Sequence, residues 1–128
     1  MTQTSQKFDL EERTIKFGEN VVLLCRRVKV DFVNRSIIDQ LIRSATSIGA
    51  NYTEANGASS KKDFRNKIYF CKKESQETRY WLRMLTIASP AFKQELLGLK
   101  QEAHEFVLIF QKIGASLNRW SLKIEWKL

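Results

Sequence analysis

One stretch of the chain, residues 61–83, combines basic and aromatic side chains in a pattern suited to nucleic acid. It holds eight Lys or Arg residues against three Asp or Glu residues, which gives a local charge of +5. Cations bind phosphates, and nucleic-acid bases stack on aromatic rings. The interleaved aromatic residues are Tyr69, Phe70, Tyr80 and Trp81. The candidate phosphate contacts are Lys61, Lys62, Arg65, Lys72, Lys73, Arg79 and Arg83.

The aromatic residues of this stretch also fit a protein interface. In this second interpretation Phe70, Tyr80 and Trp81 pack against a neighbouring subunit, and the cations form a solvated face. We favour the interface for the aromatic rings. The cations could serve nucleic acid in either case.

Patterns for metal binding and catalysis are weak. A di-iron bundle needs Glu-x-x-His pairs on facing helices, but the single histidine, His104, has Gln101 three residues before it. Glu54, Glu74 and Glu77 could hold a hard cation, although salt bridges to nearby Lys and Arg explain them equally well. No glycine-rich phosphate loop is present. We therefore predict no metal, no cofactor and no enzymatic activity.

The two cysteines, Cys25 and Cys71, fall on separate helical patterns. We predict reduced, packed thiols rather than a disulfide. The N-terminal stretch MTQTSQKFDLEER has no apolar segment typical of a secretory signal. No apolar run approaches the roughly 18 residues that a membrane helix needs. The expected location is the cytoplasm, without a membrane partner.

The whole chain is basic and of single-domain size. It has 128 residues, of which 43% are hydrophobic, so it can bury a core without disulfides or metal. Its 22 Lys and Arg residues exceed its 14 Asp and Glu residues, which gives a net charge of +8. Such an excess attracts polyanions through steering and counterion release, although a solvated basic surface is the alternative.

Four segments with helical periodicity must position these residues. Apolar or small residues recur at spacings of three and four, which places them on one face of each segment. The predicted helices run from about Asp9 to Val28, from about Ser36 to Asn56, from Ser59 or Ser60 to about Ala88, and from Ser89-Pro90 to about Leu117. Short connections between them predict an all-α, antiparallel up-down-up-down four-helix bundle.

The predicted core positions follow from the same spacing. They are Phe17, Val21, Leu24 and Val28 in the first helix; Ile38, Ile42, Ala45, Gly49, Tyr52 and Ala55 or Asn56 in the second; Phe64, Ile68, Cys71, Ser75, Thr78, Leu82 and Leu85 in the third; and Leu96, Leu99, Ala103, Phe106, Phe110, Ile113 and Leu117 in the fourth.

Polar residues at the segment ends predict helix caps. Three pairs spaced three apart form candidate capping boxes. These pairs are Asp9 with Glu12, Ser36 with Asp39, and Ser60 with Asp63. Gly57 stands where the second helix would end in a left-handed residue.

Four glycines lie inside the helical patterns, where each costs about 1 kcal/mol relative to Ala. Their number predicts close approaches of backbones, within the chain or between chains. They are Gly18, Gly49, Gly98 and Gly114.

The last ten residues, 119–128, change period. Apolar residues alternate strictly from Trp120 to Leu128, which is typical of a strand. We predict that residues 1–118 form the bundle domain and that residues 119–128 form a C-terminal extended arm that helps assembly; a frayed tail is the alternative.

The stretch Ser47-Ile-Gly-Ala-Asn-Tyr-Thr-Glu-Ala55 resembles the S-x-G-A-N-x-x-E segment of a family of small bacterial four-helix-bundle proteins. These proteins were first noted as reading frames in intervening sequences of 23S ribosomal RNA genes. Lys62-Asp63-Phe64, the run from Lys73 to Thr78 and Trp81-Leu82 are similar to the family's third helix. The likeness covers about residues 10–117. Two features depart from it: Ala55 and Asn56 precede Gly57, and the tail is rich in Trp.

The resemblance implies a four-helix bundle that assembles into a homo-oligomeric ring, commonly a pentamer. A distant relative, the accessory protein of diversity-generating retroelements, implies a basic ring that binds nucleic acid and a reverse transcriptase. The residues that the resemblance assigns to the motif and to assembly are Gly49, Ala50, Asn51, Glu54, Glu74, Glu77 and Trp81.

The motif has a physical interpretation. Gly49 and Ala50 permit close helix packing, while Asn51 and Glu54 could anchor a buried or inter-subunit polar network, with Arg65 or Arg79 as a partner. This interpretation predicts that assembly needs Glu54.

Two functions remain open. The leading hypothesis is a non-catalytic, basic ring that binds structured RNA or DNA with little base specificity. The alternative is an oligomeric adaptor for a protein partner, in which the charge serves solubility. The contact would then come from the arm or from the aromatic residues of the third helix.

Overall fold

The computed structural model describes the backbone of residues 3–127 and the side chains of residues 10–118. Four helices follow one another: α1 (Gln3–Arg27), α2 (Arg35–Asn56), α3 (Lys61–Ala88) and α4 (Lys93–Lys127). A short 3-10 turn at Pro90–Phe92 joins α3 to α4. No strand forms between residues 3 and 127, so the all-α prediction is confirmed there.

The helices form an antiparallel bundle in which each packs on its neighbours along the chain. α3 packs along its length on both α2 and α4, and α1 packs on α2. α1 and α4 close the bundle mainly through side chains. The Phe17 and Phe106 rings meet edge to face with centroids 5.4 Å apart. Arg13 pairs with Glu102 at 2.6 Å and Glu105 at 2.9 Å.

The core consists largely of the residues that the spacing predicts. All four predicted core residues of α1, and six of the seven in α3, are buried. Phe64 and Ile113, near the ends of their seams, are only partly buried. Ile42 is also partly buried, because Leu41 and Ile48 occupy the inward face of α2 there. The sequence period therefore identifies the inward face of every helix.

Two of the four interior glycines lie where α1 and α2 approach closely. A Cβ atom built on Gly49 would lie 3.4 Å from the backbone of Thr14, and one on Gly18 would lie 3.6 Å from Cα of Thr46. The predicted close approach is therefore confirmed within the chain. Gly98 and Gly114 differ, because a Cβ atom on either would have no neighbour within 4 Å.

Of the predicted caps, only the one on α3 forms as expected. Ser60 Oγ accepts a hydrogen bond from the backbone N–H of Asp63, at 3.0 Å, and the Asp63 carboxylate accepts one from the N–H of Ser59, at 3.4 Å. The cap predicted at Asp9 is wrong, because α1 is already helical from Gln3. Gly57 has φ −102°, so the predicted left-handed C-cap is also wrong.

The start of α2 replaces the predicted Ser36–Asp39 box with a loop built on Asp31 and Asn34. Asp31 Oδ1 accepts from the backbone N–H groups of Val33 and Asn34, both at 2.8 Å. Buried Asn34 donates through Nδ2 to Ser89 Oγ at 3.2 Å, which ties the loop to the end of α3. The loop therefore has fixed geometry, and it presents Phe32 with its side chain 100% exposed.

The predicted extended arm is wrong for residues 119–127, because α4 continues as helix to Lys127. The same residues also carry a helical spacing: Leu117, Trp120 and Ile124 extend the α4 pattern at intervals of three and four. α4 has already formed before this segment. Adding a residue to an existing helix avoids the cost of nucleation, so the helical pattern prevails.

Candidate nucleic-acid interface on helix α3

The predicted phosphate contacts lie along one flank of α3 and its outward face. Arg65, Lys72 and Arg79 are seven residues apart, so each lies within about 20° of the next around the helix. Arg65 and Lys72 line the cleft between α3 and α4, which identifies this flank as the one beside α4. Lys61 and Arg83, four residues before and after this set, continue the same flank. Lys62 and Lys73 are exposed on the outward face.

The opposite flank of α3 is neutralised by salt bridges to α2. Arg43 donates to Glu77 at 2.6 Å and to Glu74 at 3.1 Å. Lys67 donates to Glu54 at 2.7 Å. The bond to Glu77 raises the pKa of Arg43, and the bond to Glu54 raises the pKa of Lys67, so both cations stay charged and paired. The two flanks of α3 therefore differ sharply in net charge.

These contacts settle part of the prediction for the carboxylates. Glu74 and Glu77 face a cation of α2 that the sequence did not single out, and Glu54 faces Lys67. Among the residues whose side chains are described, no group of three or more His, Cys, Asp or Glu residues could hold a metal ion. Salt bridges are thus the observed role of these acids.

A cleft of about 400 Å³ lies between α3 and α4 beside the basic flank. Its floor includes Ile68 and Phe110, which are each 1% exposed. Gly114 of α4 also lines the cleft and, as a glycine, contributes no side chain to it. Arg65, Asn66, Tyr69 and Lys72 line it from α3, with Gln111, Ala115 and Asn118 from α4. The cleft thus combines an apolar floor with cationic, aromatic and amide groups.

The aromatic residues of α3 do not share one environment. Tyr69 is 62% exposed and meets Phe70 edge to face, with ring centroids 5.8 Å apart. Tyr80 is exposed and meets Trp81 at 4.9 Å, while Trp81 itself packs against the core. Trp81 therefore contributes to the bundle, and Tyr69 is the ring that borders the cleft.

Three partly buried side chains each have a buried nitrogen atom without a hydrogen-bond partner among the described residues. They are Arg79 at Nε, Trp81 at Nε1 and His104 at Nδ1. His104 is partly buried on α4.

Both cysteines are free thiols in the interior, as predicted. Burial raises the pKa of Cys25 to about 11 and that of Cys71 to about 12. Cys71 Sγ lies 3.7 Å from the carbonyl oxygen of Ile48, to which it donates. A buried neutral thiol is a packing group rather than a nucleophile.

The motif residues of α2 divide between two faces. Gly49 is buried against α1, whereas Ala50 is exposed. Asn51 Nδ2 donates to the carbonyl oxygen of Ser47 at 2.8 Å, and exposed Glu54 binds Lys67. Within the chain, Asn51 and Glu54 therefore make separate contacts and form no common buried network, while the inter-subunit network stays a prediction.

A second, larger groove runs along the outside of α1 and α2. Its volume is about 890 Å³, and it is lined mainly by apolar and small groups. Ile15, Val22, Leu23 and Ala50 lie in its walls. Its charged lining residues, Glu19 and Glu54, are acidic. This groove therefore offers no cation for a phosphate.

The comparison with known protein families agrees with this architecture and with the sequence motif. Residues 6–112 match the profile of the 23S rRNA-intervening sequence protein family. The chain belongs to that family. The resemblance noted in the α2 motif and in α3 is therefore confirmed over most of the bundle.

A solved protein described as belonging to the S23 ribosomal protein family has a similar structure. It is a protein of unknown function from Bacteroides thetaiotaomicron, with 30% sequence identity and a TM-score of 0.70. The alignment covers 81% of this chain and 96% of that one. No curated protein matches the chain. The descriptions of the family and of the solved protein name no reaction.

The described helices include none that is both long enough and apolar enough to cross a membrane.

Sequence reasoning missed three features of the site. It did not identify Arg43 as the partner of two acids, and it did not include Gln111 and Asn118 of α4 in the cleft. Cleft residues on different helices come together through the register of α3 against α4, which a helical pattern alone does not fix.

Proposed function

We propose that this protein is a non-catalytic, basic bundle that binds structured RNA or DNA with low sequence specificity. The observation that carries the proposal is the asymmetry of α3. Its α4-side flank and outward face carry the seven candidate cations, while its α2-side flank is neutralised by Glu54, Glu74 and Glu77. Backbone phosphates supply most of the affinity in such binding.

The size of the basic surface suits a nucleic-acid backbone. Lys61 to Arg83 spans about 33 Å at 1.5 Å per residue, close to the roughly 34 Å of one turn of duplex DNA. Long flexible cations at regular spacing contact phosphates without reading bases. The net charge of +8 adds long-range attraction.

The test is a salt titration with a matched pair of triple variants. Lys62→Ala/Lys73→Ala/Arg83→Ala removes three exposed cations from α3, and Lys16→Ala/Arg26→Ala/Lys29→Ala removes three exposed cations from α1 and the following loop. Binding of nuclease-treated protein to a labelled structured RNA is measured from low to physiological salt. We expect tight binding that falls by orders of magnitude over this range.

The α3 triple is expected to weaken RNA binding and to reduce the slope of log K against log salt by about 2–3, because up to three phosphate contacts are lost. The control triple should leave the slope nearly unchanged. No binding by the unmodified protein at low salt, or equal losses in the two triples, would overturn the proposal.

We further propose that the protein works as a homo-oligomeric ring, with a pentamer as the expected size and the cytoplasm as its location. Support for self-association comes from the groove on α1 and α2, where Ile15 and Leu23 remain exposed in the single chain. A ring requires a heterologous interface, in which one surface of each copy meets a different surface of the next. Five copies would carry about +40 and would strengthen phosphate binding.

A second candidate function is an adaptor for a protein partner. One observation favours it: the rigid loop before α2 presents Phe32 fully exposed beside exposed Val30 and Val33. Exposed aromatic anchors on a fixed scaffold are common in protein interfaces. The adaptor function requires that RNA binding be absent. It also requires a partner that the full chain binds and that either Phe32→Ser or deletion of residues 119–128 abolishes.

A further inference from the structure

The cleft between α3 and α4 is more than a row of cations, because it is concave and has an apolar floor. At about 400 Å³ it falls within the roughly 300–1,000 Å³ that small-ligand clefts occupy. Phosphate binding alone needs neither a floor of Ile68 and Phe110 nor an empty position at Gly114. The cleft can therefore bind more than a phosphate.

The groups around this floor match the parts of one nucleotide. Tyr69 offers an exposed ring, held in orientation by its edge-to-face contact with Phe70. Arg65 and Lys72 lie seven residues apart on one face of α3, and both line the cleft together with the ring and the floor. Side-chain amides of Asn66, Gln111 and Asn118 supply both donors and acceptors.

We propose that this cleft holds one unstacked nucleotide of a bound nucleic-acid strand. The base stacks on Tyr69 over the apolar floor, and Arg65 and Lys72 bind the adjoining phosphate. The amides of Gln111 and Asn118 hydrogen-bond the edge of the base. This inference rests on the proposed nucleic-acid function and adds to it a preference for single strands, loops and bulges over continuous duplex.

The groove between α1 and α2 does not fit the same ligand. The α1–α2 groove is more apolar and its charged lining residues are Glu19 and Glu54, which repel phosphate. Of the α3–α4 cleft and the α1–α2 groove, only the α3–α4 cleft therefore fits the proposed nucleotide.

The chain offers two matched pairs of variants for the test. Tyr69→Ala removes the proposed stacking ring, and Tyr80→Ala removes a ring of similar exposure that lies outside the cleft. Gly114→Leu fills the cleft, and Gly98→Leu adds the same side chain elsewhere on α4. Neither glycine has a neighbour within 4 Å of a built Cβ atom, so both replacements are compatible with the fold.

Each variant is titrated by fluorescence anisotropy, at one fixed salt concentration, with a single-stranded oligonucleotide and with a fully paired duplex of the same length. Tyr69→Ala and Gly114→Leu are expected to weaken single-strand binding by about 5- to 150-fold, the effect of losing one base–aromatic stack. Duplex binding should change less than about twofold. Tyr80→Ala and Gly98→Leu should leave both affinities unchanged, and circular dichroism checks folding in all four.

The outcomes separate this inference from the proposed function. If both cleft variants bind the single strand like the unmodified protein, while binding still falls steeply with salt, the nucleotide site is wrong and the basic surface stands. If a free mononucleotide binds as tightly as the oligonucleotide, the site serves a free nucleotide and the inference is overturned. If neither nucleic acid binds the unmodified protein at low salt, both proposals fail.

Discussion

Two buried hydroxyl groups in the core of this protein are paired across the helices α2 and α3. Thr78 Oγ1 lies 2.9 Å from Ser44 Oγ and 2.7 Å from the carbonyl oxygen of Glu74. Both hydroxyl-bearing residues are fully buried. A bond between two buried hydroxyl groups fixes the register of the helices as well as stabilising the fold.

The hydroxyl pair can be tested by a double-mutant cycle. Ser44→Ala should lower the free energy of unfolding by about 1 kcal/mol, because it removes the bond between the two hydroxyl groups. Thr78→Val should lower it by about 1–2 kcal/mol, because it removes that bond and the bond to the carbonyl oxygen of Glu74. The double variant should cost less than the sum of the two, by about 0.5–1 kcal/mol, because the second change removes a bond already lost. Urea denaturation followed by circular dichroism gives these values.

Thr86→Val provides the control for this cycle. Thr86 Oγ1 donates only to the carbonyl oxygen of Leu82 in its own helix. Its effect should therefore add to that of Ser44→Ala within about 0.3–0.5 kcal/mol. Simple additivity of Ser44→Ala and Thr78→Val as well would mean that the two hydroxyl groups are not coupled.

At the scale of helices, the small residues of α2 determine how closely it approaches α1. A Leu side chain at Gly49 would collide with the backbone of Thr14 and Ile15, since even a Cβ atom there lies 3.4 Å from both. Gly49→Leu should therefore destabilise the protein by about 1–3 kcal/mol, as overpacking typically does. Thermal or urea unfolding measures the loss.

Gly98→Leu is the matched change at an open helical position. It should be neutral or should stabilise the protein by up to about 1 kcal/mol, because Leu has a higher helix propensity than Gly and meets no neighbour. Equal effects of the two substitutions would contradict the close packing of α1 on α2.

The helices were largely predictable from the sequence, and their ends were less so. α3 was placed within a residue because Ser60 and Asp63 combine a strong local cap with an unbroken heptad pattern. The start of α2 was also placed within a residue, but its cap was predicted wrongly, because the loop before it depends on Asn34 reaching Ser89, 55 residues away. The tail was misassigned because residues 117–124 satisfy a helical and an alternating pattern at once. Local patterns thus fail where distant contacts or an existing helix decide.

At the scale of the whole molecule, charge and apolar surface are segregated. Cations concentrate on α3 beside α4, whereas the apolar groove and its two acids lie on α1 and α2. The sequence predicted the seven cations but could not show which flank of α3 is neutralised by salt bridges to α2, because Arg43 is 31 residues from Glu74. Segregation of this kind leaves the apolar side available for another copy while the basic side faces outward.

This arrangement predicts the effect of charge in the α1–α2 groove on assembly. Leu23→Glu should convert the proposed oligomer to monomers, because a carboxylate buried in an apolar interface costs several kcal/mol. Light scattering coupled to size exclusion should give about 75 kDa for a pentamer of 15.0 kDa chains and about 15 kDa for the variant.

Leu108→Glu is the control, since Leu108 on α4 is 53% exposed and Leu23 is 54% exposed. Glu54→Ala, at the edge of the same groove, should also lower the mass. A monomeric unmodified protein, or an unchanged mass for Leu23→Glu, would show that this groove is not the assembly surface.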